Sequence, residues 1–174
     1  MRKKLIFISL LLATMILAII IYYYPKKQSL TFEGVMFQLG EDNSDHVKQV
    51  TININGKVQR NIVGIKTFKG FIDIEGETIP VPEQQRELEL RLGKYGEAII
   101  VYTYIVNGVP NTYSYGGIFV NNNFSKIAIW KNDSNGYWDV NNGFMISAPA
   151  NNRKEALGVA NELMEKYLKG YPLK

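Results

Sequence analysis

Hydrophobic positions along this chain fall into three successive regimes. From Leu5 to Tyr24 the run is apolar and uncharged, with Ser9 and Thr14 the only polar side chains before the closing tyrosines. From about residue 30 to residue 147, short apolar and β-branched segments alternate with turn residues, and from Arg153 to Lys169 the apolar positions return every three or four residues. A continuous run, a period near two and a period near 3.6 predict a membrane-length helix, half-buried strands and one amphipathic helix in turn.

A run from residue 5 to residue 24, rising about 1.5 Å per residue, makes roughly 30 Å of helix, the thickness of a bilayer's hydrocarbon layer. Arg2, Lys3 and Lys4 precede it, Pro25, Lys26 and Lys27 follow it, and Tyr22, Tyr23 and Tyr24 stand where an aromatic belt would meet the far interface. A cleaved signal peptide is the competing explanation and would need small residues at a cleavage site. Ala13 and Ala18 are embedded in the run, followed by Thr14-Met15 and Ile19-Ile20, and no cysteine is present to carry a lipid. The expected organisation is a cytoplasmic tip (1–4), a transmembrane anchor (5–24), a short linker (25–29) and an extracytoplasmic β-rich domain (30–174) ending in a helix over 153–169. Basic residues are in excess before the span, which places the N-terminus in the cytoplasm of a single-pass protein of the cell membrane.

In the second regime we read strands near 30–38, 47–54, 57–65, 68–75, 86–92, 97–106, 109–120, 125–132 and 143–147. Leu88, Leu90 and Leu92 alternate with Glu87, Glu89 and Arg91, and Ile72 and Ile74 with Asp73 and Glu75. Pro80 and Pro82 withhold two ladder donors and mark a connection or a blunted edge. Asn107-Gly108 is the strongest turn signal, because a two-residue hairpin loop requires positive φ at both positions. Val106 then faces Val109, Tyr104 faces Asn111 and Tyr102 faces Tyr113, so Tyr102, Tyr104, Tyr113 and Tyr115 share one side of the ribbon. Gly116-Gly117 predicts a bulge or a close approach by another element.

The last regime begins with Asn152 and Glu155 in a capping-box arrangement and ends at Gly170 and Pro172. Ala156, Ala160, Leu163 and Tyr167, flanked by Leu157, Met164 and Leu168, form its apolar stripe. The fold class expected is therefore an N-terminal transmembrane helix followed by an α+β, mostly antiparallel β domain, as a meander sheet, sandwich or barrel, with one C-terminal helix packed on the sheet.

Charge placement removes one functional class. The chain carries 20 Lys+Arg against 16 Asp+Glu, a net charge of +4, but Arg2, Lys3, Lys4, Lys26 and Lys27 all precede the first acidic residue. The rest of the chain is close to neutral and its basic residues are scattered among acids, which argues against nucleic acid as a partner. The absence of cysteine excludes a disulfide scaffold and a thiolate nucleophile. Abundant Asn, Ile and Lys is the composition of AT-rich bacterial genomes.

Candidate chemistry is sparse. His46 lies in the acidic loop Glu41-Asp42-Asn43-Ser44-Asp45-His46 without the further nitrogen or sulfur ligands a zinc site needs. Asp133, Asn135, Gly136 and Asp139 resemble part of a calcium loop, but Lys131 and Asn142 stand where that loop needs acids, so a turn is the simpler reading. Asp73, Glu75 and Glu77 could be imagined as a carboxylate dyad, although strand alternation alone puts them on the wet face. No G-x-S-x-G and no phosphate-binding glycine loop occurs. No catalytic residue, cofactor or metal is therefore assigned, and an enzyme would need an unfamiliar site. Tyr102, Tyr104, Tyr113 and Tyr115 are the one candidate binding face, which Tyr95, Trp130, Tyr137 and Trp138 could extend; lining a core is the ordinary role of such tyrosines. The expectation is a binding or structural module of the cell envelope, its partner an envelope protein, a glycan or a small apolar ligand. The alternative is a barrel-like carrier of a small ligand, which would need a cavity among Tyr102, Tyr104 and Tyr113.

Overall fold

The computed structural model of the protein describes residues 2–43 and 45–174; Met1, in the expected tip, and Ser44, in the loop before His46, lie outside the described residues. The apolar run forms helix α1 (Arg2–Tyr23), of which Ile6–Tyr23 is long and apolar enough to cross a membrane, with none of it buried in the protein. Its two aliphatic hydroxyls are spent internally: Ser9 Oγ donates to the Ile6 carbonyl at 2.8 Å and Thr14 Oγ1 to the Leu11 carbonyl at 2.9 Å. That is how an apolar helix hides polar side chains. Only Tyr24 and Pro25 separate α1 from β1 (Lys26–Gln38), so the first strand starts several residues before the expected position 30.

Seven more strands follow: β2 (Val47–Arg60), β3 (Lys66–Ile74), β4 (Leu88–Arg91), β5 (Glu97–Val106), β6 (Val109–Val120), β7 (Ile127–Lys131) and β8 (Phe144–Ala148). They form one antiparallel sheet in the order β4-β3-β2-β1-β8-β7-β6-β5. Each half is a meander, the halves are joined by β1 against β8, and the outer strands β4 and β5 come back into contact to leave a nearly closed barrel. The expected strands 47–54 and 57–65 are a single strand, β2, followed by a turn. Gly56 does not turn the chain; it faces Gly70 on β3, where a Cβ would stand 2.7 Å from the Phe68 ring. The turn comes at residues 61–65, where the Asn61 side chain accepts from Ile65 N at 2.9 Å and Gly64 takes φ +83°.

Alternation along the strands builds two cores. Ile52, Ile54, Phe68, Leu88, Leu90, Ile100, Ile118, Ile129 and Ile146 fill the barrel, while Val35, Phe37, Phe119, Ala128 and Met145 face outward from the same sheet. This second set is covered by helix α2 (Arg153–Met164), so β1, β6, β7 and β8 bury both faces where the helix lies over them. The N-cap is as the sequence implies: Asn152 accepts from Glu155 N at 2.9 Å, and the Glu155 carboxylate returns to Asn151 N at 2.8 Å. These Asn151 bonds hold the Glu155 carboxyl below its ordinary value. The stripe is rotated from expectation. Ala156, Ala160 and Met164 are fully covered, Leu157 and Leu163 only partly, because two alanines one turn apart let the helix settle closely on the sheet along that line. The regular helix ends at Met164, and the chain continues in turns through Lys169 and Gly170, both with positive φ.

Met164→Ala should therefore destabilise the domain by about 2–5 kcal/mol, whereas Leu163→Ala should cost about half as much or less. Chemical denaturation of the full chain in detergent, followed by tryptophan fluorescence, checks the order.

Candidate functional site

The β5–β6 hairpin forms in the expected register, with Asn107 at φ 51° and Gly108 at φ 79°. Pairing shifts between Ile100 and Val101, so Tyr115 is the extra residue of a bulge and turns inward. The cause lies on the neighbouring strand: a Cβ on Gly116 would collide with the Trp130 carbonyl, and one on Gly117 with the Trp130 ring. All four hairpin tyrosines face the barrel interior. Tyr102 and Tyr115 are each only 2% exposed, Tyr104 and Tyr113 are half-buried against the same core, and the Tyr102 and Tyr113 rings stack at 6.3 Å. Neither of the pockets described below is lined by these rings.

The connection over residues 75–87 closes the barrel mouth at that end, sinking Ile79 and Val81 into the core. Arg86 fastens it by donating to the carbonyls of Val81 at 2.7 Å and Ile79 at 2.9 Å. Asp73 and Glu75 are solvent-exposed, as strand alternation implies, but Glu77 is not on the wet face. It accepts from Tyr115 Oη at 3.1 Å and from Lys131 Nζ at 2.6 Å, with its side chain almost wholly covered. Gly76, at φ +77°, ends the alternation one residue earlier and turns Glu77 inward. That glycine is the one sequence signal that could have found the link. Burial, and then the charge and hydrogen bond of Glu77, push the Tyr115 hydroxyl far above its ordinary pKa; burial, and then the charge of Asp73, push Tyr102 up to about 12.

The remaining aromatics assemble elsewhere. Trp130 on the outer face of β7, Tyr137 and Trp138 in the loop before β8, and Tyr167 beyond α2 surround a surface groove of about 190 Å³. Trp130 lies 5.9 Å from Trp138 and nearly parallel to Tyr167 at 6.5 Å, and Phe119 supports the cluster from beneath. Trp138 is oriented by its indole N–H, which donates to the Phe144 carbonyl at 3.2 Å, while Tyr137 is 76% exposed. The structure thus separates rings that the sequence could only group. The hairpin tyrosines are inside, Trp130, Tyr137 and Trp138 are outside, and Tyr95 belongs to a third place.

That third place is a cleft of about 830 Å³ at the barrel end nearest α1, between the loops over 61–65, 92–96 and 121–122 and the end of α2. Lys66, Arg91, Lys94 and Lys166 line it together with Glu162 and Glu165. His46 is exposed, and its carbonyl accepts from Gln38 N. Asp133 folds its carboxylate onto the amides of Asn135 and Tyr137, both at 2.9 Å, which lowers its pKa and makes the Asn-rich loop a self-satisfied turn. Among the described residues no group of His, Asp and Glu is arranged to hold a metal ion.

Alkaline pH probes the buried tyrosines. Below pH 10, the ordinary tyrosine value, folded and unfolded chains both keep the Tyr102 proton and its contribution is constant. Between pH 10 and about 12 the unfolded chain loses that proton while the folded chain keeps it, so stability falls as pH rises. Tyr102→Phe should flatten that decline, measured as the denaturation midpoint against pH.

Comparison of the chain with protein-family models, with curated proteins and with solved structures finds no match in any of the three. The functional reading therefore rests on the geometry of this molecule.

Proposed function

We propose that this is a single-pass membrane protein whose α1 anchors the barrel on the extracytoplasmic side of the cell membrane, where it serves as a binding module of the envelope. The observation that carries the reading is the outer aromatic groove. The barrel interior is occupied by side chains, so a ligand meets the surface, and the surface offers Trp130, Tyr137, Trp138 and Tyr167 around one depression. Ring faces are apolar and tyrosine edges carry hydroxyls, a combination that suits the C–H faces and hydroxyl rims of a sugar; we assign the groove to an envelope glycan. Orientation follows from the excess of basic residues before the span.

The carrier alternative has one observation in its favour. The cleft near α1, at about 830 Å³, lies in the size range of ligand pockets. A carried molecule would then sit outside the barrel, away from Tyr102, Tyr104 and Tyr113.

Carbonate washing of membranes should leave the full chain in the pellet, and protease added to intact cells should digest the barrel; release by the wash refutes the anchor, and a protected barrel reverses the orientation. Co-sedimentation with isolated insoluble cell-wall glycan should fall several-fold for Tyr137→Ala, whose exposed ring can be removed without opening the core. Equal sedimentation of both proteins would exclude the groove as the glycan site.

A further inference from the structure

The link between α1 and the barrel is unusually short and is clasped. Tyr24 and Pro25 alone connect α1 to β1, and Arg60, the last residue of β2, donates from Nη1 to the Tyr22 hydroxyl at 2.9 Å with its guanidinium 5.3 Å from that ring. The turn that follows β2 is therefore held beside the C-terminal end of the apolar helix. Turn tips are ordinarily Gly, Pro, Asn, Asp or Ser. This one presents Ile62 and Val63, 89% and 77% exposed, with no element of the barrel covering them.

Beneath that tip the charges are arranged at a cost. Arg60 and Lys66 stand directly opposite each other on β2 and β3, and like charges at paired positions repel. Lys26 is close enough to act on the same site: burial first, then the charges of Arg60 and Lys26, push Lys66 below its ordinary value. Lys66 Nζ bonds only neutral oxygens of Asn122, at 3.2 and 2.8 Å, and among the described residues none of the three cations forms a salt bridge. Of the acids at this end, Glu162 pairs with Lys126 at 2.5 Å, Glu97 accepts from Tyr95 N at 2.7 Å, and Glu165 lines the cleft together with Lys166. The loops at the other end of the barrel carry Glu41, Asp42, Glu75, Glu83, Asp133 and Asp139. The barrel thus has a basic end whose turn tip carries Ile62 and Val63, and an opposite, acidic end where Ile105, Val106 and Val109 flank the β5–β6 turn and are less exposed.

We infer that the basic end docks on the surface of the membrane that holds α1, with Ile62 and Val63 seated at headgroup level and Lys26, Arg60 and Lys66 facing the phosphates of anionic lipids. The inference rests on the anchor reading. A bilayer is the occupant the geometry favours because α1 delivers this face to the headgroups, apolar tips gain by entering the interface, and basic side chains beside it gather anionic lipid. Docking would also set the neighbouring cleft at the lipid surface.

The chain contains no cysteine, so single labels are unambiguous. Full-length Val63→Cys and, at the opposite end, Ser134→Cys are labelled with an environment-sensitive fluorophore and reconstituted into vesicles of brominated phosphatidylcholine, with or without phosphatidylglycerol. The label at position 63 should be quenched by the lipid bromines and be several-fold less accessible to aqueous iodide than the label at position 134, with the contrast larger when phosphatidylglycerol is present. Arg60→Gln together with Lys66→Gln should return position 63 toward iodide access. Equal iodide access at both positions, in a chain that stays with the vesicles through a carbonate wash, overturns docking and leaves the anchor standing. A chain stripped from the vesicles by that wash overturns the anchor and the docking with it.

Discussion

The pairing of Val35, Met36, Phe37 and Gln38 on β1 with Ser147, Ile146, Met145 and Phe144 on β8 is the contact on which the rest of the architecture depends. Without it the chain is two meanders, each with one apolar face and no partner for it. With it the sheet becomes continuous, coils through its natural twist and brings β4 back to β5, so that the two inner faces supply each other's core. It is also the longest-range pairing in the sheet, and the loop-closure entropy it costs must be offset by the apolar surface it encloses.

The same junction explains why α2 sits where it does. Joining β1 to β8 leaves Val35, Phe37 and Met145 side by side on the outer surface, continued by Ala128 and Phe119, and this apolar strip needs a cover. Ala156 and Ala160 allow a close approach, and Met164 fills what remains. Arg153, which belongs to the polar face by helical periodicity, instead reaches the carbonyls of Gln38 at 3.2 Å and Gly40 at 2.9 Å and fastens the start of the helix to the end of β1. Where the helical cover ends, Trp130, Tyr137, Trp138 and Tyr167 close the margin and leave the aromatic groove.

A filled barrel directs function to its surface and its ends. One mouth is closed by the 75–87 connection, pinned by Arg86 and by the Glu77 carboxylate between Tyr115 and Lys131. Such a buried acid adds little net stability when paired and would cost much if its partner were lost, so its effect is to hold one arrangement of the connection. The other end carries the cleft beside α1, where among the described residues Lys26, Arg60 and Lys66 form no salt bridge. The two ends differ in charge, and only one of them stands beside α1, which gives the barrel a direction relative to the helix that precedes it.

Much of this was legible in local sequence. A long uncharged run yields a helix whatever surrounds it, Asn107-Gly108 sets the β5–β6 register through backbone sterics alone, and Asn152 with Glu155 caps α2 through bonds spanning a few residues. What only the tertiary structure decided depends on neighbours remote in sequence. Gly56 and Gly116-Gly117 look alike as chain breakers, yet one lies within a continuous strand facing Gly70 and the others make room for Trp130. Strand alternation says that Tyr102, Tyr104, Tyr113 and Tyr115 share a face, but it carries no sign for inside or outside until the sheet closes. Glu77 reads as one more exposed acid until Gly76 turns it toward Lys131, more than fifty residues away. Periodicity is a property of one element and survives in the sequence; which face is buried, which ring joins which cluster and which charges stand together are properties of the closed sheet, because closure alone brings those residues within reach.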